Sequence, residues 1–152
     1  MENRLKNKNT DTPDLWTAIQ HLHKAIAAGG VDPKLLSLVH LRASQINGCS
    51  ACVHAGVAGG KKAGETDERL HNVAAWREAP FYTDAERAAL ALAEGATRLQ
   101  DGAEGVTDAI WEEVNAHFTE AEIGAINLEI ALTNFFNRLN RTVREPAGRT
   151  WG

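Results

Sequence analysis

The chain's two cysteines stand three positions apart, in Gln45-Ile46-Asn47-Gly48-Cys49-Ser50-Ala51-Cys52. A CxxC pair can cycle between dithiol and disulfide when one sulfur ionises readily and the other can reach it. Asn47-Gly48 reads as a helix stop, so the pair falls at the start of the next helix. Unpaired N–H groups and the positive end of the helix dipole favour an anion there, and a thiol with an ordinary pKa of about 8.5 can become a thiolate near neutrality. Helix residues three apart hold their Cβ atoms about 5–6 Å apart, whereas a disulfide needs roughly 3.5–4.5 Å. The first turn must therefore adjust, which is easiest at a helix start beside Gly48. Two other readings compete: two small residues packed in a core, or a zinc site. Zinc would need further ligands, and no second CxxC or HxxxH accompanies the pair, although His40 and His54 are close in sequence.

The elements that must hold this pair read as helices throughout. Thr12 before Pro13 looks like an N-cap, and Gly29-Gly30 stops a segment carrying Trp16, Ile19, Leu22 and Ile26. Asp32-Pro33 opens a second helix with Leu35, Leu38, Val39 and Ile46 on its buried side, ending at Asn47-Gly48. A third runs from about Cys49 to Ala63, where Gly64 is a natural stop, and Thr66 caps a fourth segment holding Leu70, Val73 and Trp76. After Pro80, the capping box Thr83-Asp84-Ala85-Glu86 starts a fifth helix reaching about Leu99. Asp101 to Gly105 forms a turn, Thr107 starts a sixth helix to His117, and Thr119 with Glu122 is a second capping box. On the long last helix, Ile123, Ile126, Leu128, Ile130, Leu132, Phe135, Phe136 and Leu139 lie on nearly all sides, which predicts burial between layers or subunits. No stretch alternates with a period of two. The expected fold class is all-α, with a flexible leader over 1–11, a single domain over 12–145 and a tail over 146–152.

Composition narrows the function classes. With 152 residues and 43% apolar content, the chain can bury a core without disulfides or a structural metal, leaving its cysteines free for chemistry. Sixteen basic against twenty acidic residues, with no basic cluster beyond Arg4 to Lys8, leave no footprint for nucleic acid. No apolar run is long enough for a membrane span and the polar start has no signal-peptide core, so the expected location is cytoplasmic. Nucleotide-binding loops of the GxGxxG and Walker types and HExxH are absent, so no cofactor and no metal are expected.

Leu41-Arg42-Ala43-Ser44-Gln45-Ile46-Asn47-Gly48-Cys49, the second Cys52 and the helix-closing Lys62-Ala63-Gly64-Glu65 resemble the alkylhydroperoxidase D-like (AhpD-like) and carboxymuconolactone decarboxylase family. The likeness extends through Ala74-Ala75-Trp76-Arg77, Thr83 to Ala91 and the ending Thr133 to Leu139. It implies an AhpD-like helical bundle that assembles as a homotrimer or homohexamer, with the CxxC site near subunit contacts. Members that keep both cysteines are typically thiol peroxidases, served by a small peroxide substrate and a dithiol reductant. Members acting as lactone decarboxylases generally lack the pair. In the family the second cysteine is usually taken to meet peroxide, which assigns that role to Cys52 and resolution to Cys49; the helix terminus alone favours Cys49 as the more ionised group, and the order stays open.

The family's proton relay places a histidine four residues after the second cysteine and a glutamate twelve before the first. Here those positions are Gly56 and Ser37. A relay can contribute about 10²–10⁴-fold to rate, so a replacement must be sought. His54 lies about 200° around the helix from Cys52 and should point away. His40, three residues beyond Ser37, shares its helix face and titrates near neutrality, which makes it the candidate base; the competing reading is a histidine satisfied by packing. His21, His23, His71 and His117 carry no spacing argument. Asn127, Asn134 and Arg138 read as a buried polar stripe that fixes register or subunit contacts. Trp16, Trp76, Trp111, Phe81, Phe118, Phe135 and Phe136 read as core and interface residues. The expected function is a thiol-dependent peroxidase with Cys49, Cys52 and His40 at its centre. The alternatives are a non-catalytic redox-sensing or assembly module, and a small-lactone decarboxylase or isomerase.

Overall fold

The structure, a computed structural model, describes residues 2–5 and 13–148. Thr12, expected as an N-cap, and most of the expected leader lie outside the described residues. Among those described there is no strand, and the elements are α1 (Pro13–Ala28), α2 (Pro33–Asn47), α3 (Ser50–Ala63), α4 (Asp67–Asn72) with a 3-10 turn at Val73–Ala75, α5 (Asp84–Thr97), α6 (Asp108–His117) and α7 (Glu120–Val143). No helix among them is long and apolar enough to cross a membrane.

Local chemistry sets the boundaries. Asp32 accepts a hydrogen bond from the Lys34 amide and Pro33 occupies the first turn of α2, where its missing N–H costs nothing. Thr83 and Thr119 each form a complete capping box, with Glu86 and Glu122 respectively, and Thr66 and Thr107 cap α4 and α6 through their hydroxyls. Gly48 closes α2 in the left-handed region at φ 63°, a conformation that a Cβ would penalise. The fifth helix stops at Thr97, two residues earlier than expected, and Leu99 beyond it is 70% exposed.

α2 lies at the centre of the bundle and packs on α3, α5 and α7. Its helical period separates two buried clusters. Leu35 and Val39, four apart, join Ala89, Leu92, Val114 and Ile126 in one; Leu38 and Leu41, three apart, join Leu70, Val73, Trp76 and Leu90 in the other. Burying such aliphatic side chains contributes about 1.5–3 kcal/mol each before the entropy of ordering them is counted.

Within the single chain, the last helix is buried along one face. Leu128 and Phe135 are exposed at 38% and 40%, while Thr133, Asn134, Asn137 and Asn140 are buried. Asn127 and Arg138, expected on the buried stripe, face outward. The buried polar groups are retained because each has a partner: the Asn47 amide donates to Asn134 Oδ1 at 2.9 Å and Asn137 Oδ1 at 2.8 Å. Asn137 donates to Ser44 Oγ at 3.1 Å, Asn134 to Thr97 Oγ1 at 3.1 Å, and the Arg141 guanidinium to the Asn47 carbonyl at 2.7 Å. Thus α7 is stapled along the C-terminal half of α2. The Trp111 side chain, expected in a core or interface, is 48% exposed.

Two charge clusters brace the far side of the bundle. Glu94, 3% exposed, accepts from Arg42, Arg77, Arg98 and the Trp76 indole. Burial alone would push its carboxyl up, but the hydrogen bonds from Trp76, Arg77 and Arg42 and the Arg42 charge outweigh it and hold the pKa at about 2. Arg69 is bound by Glu65 at 2.7 Å and by Glu86 and the Phe81 carbonyl, and lies over the Tyr82 ring. At the chain start, the Arg4 amide donates to the Val143 carbonyl at 2.8 Å and the Asn3 amide to the Glu145 carboxylate, laying residues 2–5 along the end of α7.

Because the folded pKa of Glu94 is depressed, its stabilising contribution is complete above the unfolded value near 4.5 and fades as pH falls towards about 2. Glu94→Gln should flatten the acid limb of a Tm-against-pH curve in that window. It should also lower stability in urea at pH 7 by about 3 kcal/mol, since the buried part of the guanidinium cluster loses its counter-charge. Asn137→Ala leaves the Asn47 and Ser44 side chains short of a partner and should lower stability by about 2 kcal/mol in the same measurement.

Candidate functional site

Cys49 is the N-cap of α3, not its first helical residue. Its backbone is extended (φ −85°, ψ 98°), and its sulfur accepts the Cys52 amide at 3.3 Å, as a serine or aspartate oxygen would. This resolves the distance problem posed by the spacing. A cap residue is free of the helical Cβ geometry, so Cys49 and Cys52 close into a disulfide with Cα atoms 5.3 Å apart, inside the ordinary disulfide range. The join is fixed from both sides, by the Cys49 amide on the Ser44 carbonyl at 3.1 Å and the Cys49 carbonyl accepting Val53 N at 2.8 Å. Both cysteines are buried, at 2% and 4% exposure.

Cys52 borders a cleft of about 210 Å³ whose walls include His40, Glu129, Thr133, Leu132 and Phe136. The imidazole of His40 enters from α2, and α7 supplies its support. Thr133 Oγ1 lies 3.1 Å from His40 Nδ1, Glu129 Oε1 lies 3.4 Å from the same nitrogen, and the Thr133 hydroxyl donates to Glu129 at 3.4 Å. Satisfying both acceptors places the proton of neutral imidazole on Nδ1. His40 Nε2 is buried and has no partner, which makes it the free acceptor nitrogen. The amide of Asn140 donates to Cys52 Sγ at 3.3 Å, a contact that favours charge on that sulfur.

Gly56 explains why His40 can sit here. A Cβ at residue 56 would lie 2.9 Å from His40 Cδ2 and 3.5 Å from Nε2, so the ring fills space that a side chain at 56 would claim. Ser37 bonds back to the Pro33 carbonyl at 2.9 Å, ordinary helix chemistry. His54 is exposed, as its angular position predicts. His21 and His71 are exposed and His117 pairs with Glu113 at 3.3 Å, but His23, which no spacing singled out, lines the cleft beside Cys52.

The sequence reading missed Glu129, Thr133 and Asn140. Their signal is a helical one: Glu129, Thr133, Asn137 and Asn140 recur at spacings of four, four and three along an apolar helix, the pattern of a polar stripe facing a partner. Among the described residues no three His, Cys, Asp or Glu side chains converge as a metal site requires.

Residues 13–95 match the carboxymuconolactone decarboxylase family. The matched stretch holds the CxxC pair and His40 but not α7. The chain is 29% identical over 128 residues to the uncharacterized protein YdfG of Bacillus subtilis (strain 168), covering 84% of this chain and 86% of that one. Among solved structures, it superposes with a TM-score of 0.86 and 30% identity on a protein of unknown function from Agrobacterium tumefaciens, described as a candidate antioxidant defence protein AhpD. That match covers 98% of this chain and 100% of the other. The debrominase Bmp8 shares the fold, with a TM-score of 0.77 at 24% identity over 89% of this chain and 72% of that one. With the helical architecture and the matched segment around Cys49 and Cys52 in agreement, the chain belongs to the AhpD-like, carboxymuconolactone decarboxylase family.

Proposed function

We propose that the protein is a dithiol–disulfide oxidoreductase that reduces peroxides, with Cys52 as the attacking sulfur, Cys49 as the resolving one and His40 as the proton carrier. One observation carries this reading: the Cys49–Cys52 pair closes at a helix start, and Cys52 shares a cleft with a histidine that has a free nitrogen. Lactone decarboxylation would leave the pair without a task, and a passive sensor would leave the His40 assembly without one.

The reaction balances on these groups. In the reduced protein the Cys52 thiolate, favoured by the Asn140 amide and the start of α3, attacks the outer oxygen of ROOH. The O–O bond breaks, the departing alkoxide takes a proton from the His40 imidazolium, and Cys52 becomes a sulfenic acid. The Cys49 thiol, held by its capping role within bonding distance, attacks that sulfur. Its proton leaves with the hydroxyl as water and the disulfide forms. Glu129 stabilises the imidazolium between these steps and holds Nδ1 away from the cleft, as partner carboxylates do for catalytic histidines. His23 and Glu129 are the titratable side chains that share the cleft with His40 and Cys52.

Cys52→Ser and Cys49→Ser should each abolish peroxide turnover supported by a dithiol while leaving the helical circular-dichroism spectrum unchanged. A wild-type protein inert with several peroxides and dithiols would remove the reading. His40→Ala should lower the rate about 10²-fold. Gly56→Ala should also lower the rate, by crowding the His40 ring.

A further inference from the structure

The disulfide borders a second opening that the peroxide reaction does not use. On the Cys49 side lies a groove of about 330 Å³ walled by Arg4, Arg141, Arg144, Ser50, Asn140 and Glu145. Its character is opposite to that of the cleft at Cys52, which is lined mainly by apolar and aromatic side chains around His40. Asn140 borders both and marks the wall between them. Two of the arginines have structural duties: Arg141 binds the Asn47 and Gly48 carbonyls, and Arg4 the Thr142 carbonyl. Arg144 has no such bond. It also occupies the left-handed region at φ 60°, the one described non-glycine residue to do so. Glycine is the ordinary residue at that point of a helix end, because a side chain there crowds the following carbonyl. A bulky cation held there, beside two others and one carboxylate, gives the Cys49 side a positive field.

Resting on the redox reading above, we infer that the groove is the entry for the reductant, and that it takes a small thiol carrying an additional negative charge such as a carboxylate or sulfonate. The groove has small-molecule dimensions, and guanidinium groups pair with such oxyanions in forked geometry. The exchange balances. A thiolate RS⁻ attacks Cys49 Sγ, the S–S bond breaks, and Cys52 departs with the electron pair as a thiolate that keeps its Asn140 hydrogen bond. A second RS⁻ attacks the outer sulfur of the mixed disulfide, releasing RSSR and the Cys49 thiolate. Two thiols become one disulfide, and the protein regains two protonatable sulfurs. Oxidant and reductant thus approach from different sides, and attack at Cys49 regenerates the peroxide-reactive sulfur in the first step.

The test uses the full chain, oxidised, with 2-mercaptoethanesulfonate and 2-mercaptoethanol as probes, similar thiols that differ by one negative charge. Rates of disulfide opening are followed by thiol titration and expressed per thiolate. The sulfonate should be favoured about threefold or more at low salt, and the ratio should fall towards one at high salt as the field is screened. Arg144→Gly, which relieves the left-handed arginine and so keeps the fold, should bring the low-salt ratio close to one, and Arg144→Glu should carry it below one. Lys62→Glu, the same charge change as Arg144→Glu but at the far end of α3, should leave it unaltered. Equal rates for the two thiols in the wild type, or a ratio that survives Arg144→Gly, would overturn the inference. Opening by 2-mercaptoethanol and closure by a peroxide report the redox reading by itself: if these succeed while the charge preference is missing, the groove assignment falls alone. If neither thiol opens the disulfide, the groove assignment falls, and turnover with a dithiol and a peroxide decides the redox reading separately.

Discussion

The turn from α2 into α3 is the constraint on which the rest depends. Gly48 reverses the chain with a left-handed backbone, Cys49 then stands in extended conformation as a cap, and only with Ser50 does the next helix begin. A turn this tight leaves the last carbonyls of α2 exposed to neutralisation from outside the helix, and α7 provides it through Arg141 on Asn47 and Gly48. The Asn47 side chain is caught by Asn134 and Asn137 in the same stroke. The polar contacts of α7 therefore do a task that hydrophobic packing could not, since non-directional burial would allow the α2 end to slide by a turn. The same helix brings Glu129, Thr133 and Asn140 to His40 and Cys52, so positioning and chemistry are carried by one face of one element.

The remainder of the bundle serves to hold α2 still. Apolar clusters on its two sides fix its rotation, and the guanidinium groups around Glu94 fix its neighbour α5 through Arg42 of α2. A carboxylate this buried is tolerable because each oxygen is met by donors, with the indole of Trp76 and Arg42 on one and Arg77 and Arg98 on the other. The Arg69 cluster plays the corresponding part for α4 and the start of α5. These groups explain why charged residues occur inside a helical domain whose chemistry lies elsewhere.

What could be read from the amino-acid order follows from how local each determinant is. The helix boundaries were legible because Asp32-Pro33, Thr83 with Glu86, Thr119 with Glu122, Gly48 and Gly64 act within a few residues of themselves. The CxxC junction was legible for the same reason, although the reading started the helix at about Cys49 and the structure makes that residue its cap. Long-range pairing was not. Counting apolar side chains on α7 predicted burial between layers or subunits but did not show that its buried face within the chain is defined by asparagines, whose partners, Asn47, Ser44 and Thr97, lie far away in sequence. Asn127 and Arg138 looked equivalent to Asn134 by composition and differ from it only by angle around the axis. Helix-face geometry put His40 on the side of α2 that meets Gly56, as the structure has it; its support by Glu129 depends on a contact 89 positions away.

Gly56 and His40 are not independent positions. The imidazole rests where any larger residue at 56 would have to stand, so the chain can carry a ring from α2 or a side chain from α3 at that spot, but not both in these rotamers. Exchange between the two arrangements must pass through a form with neither side chain at that spot, or through a crowded form with both. Relatives that differ here should therefore change both letters together, and a graft of one residue from such a relative would import a defect that its own background conceals.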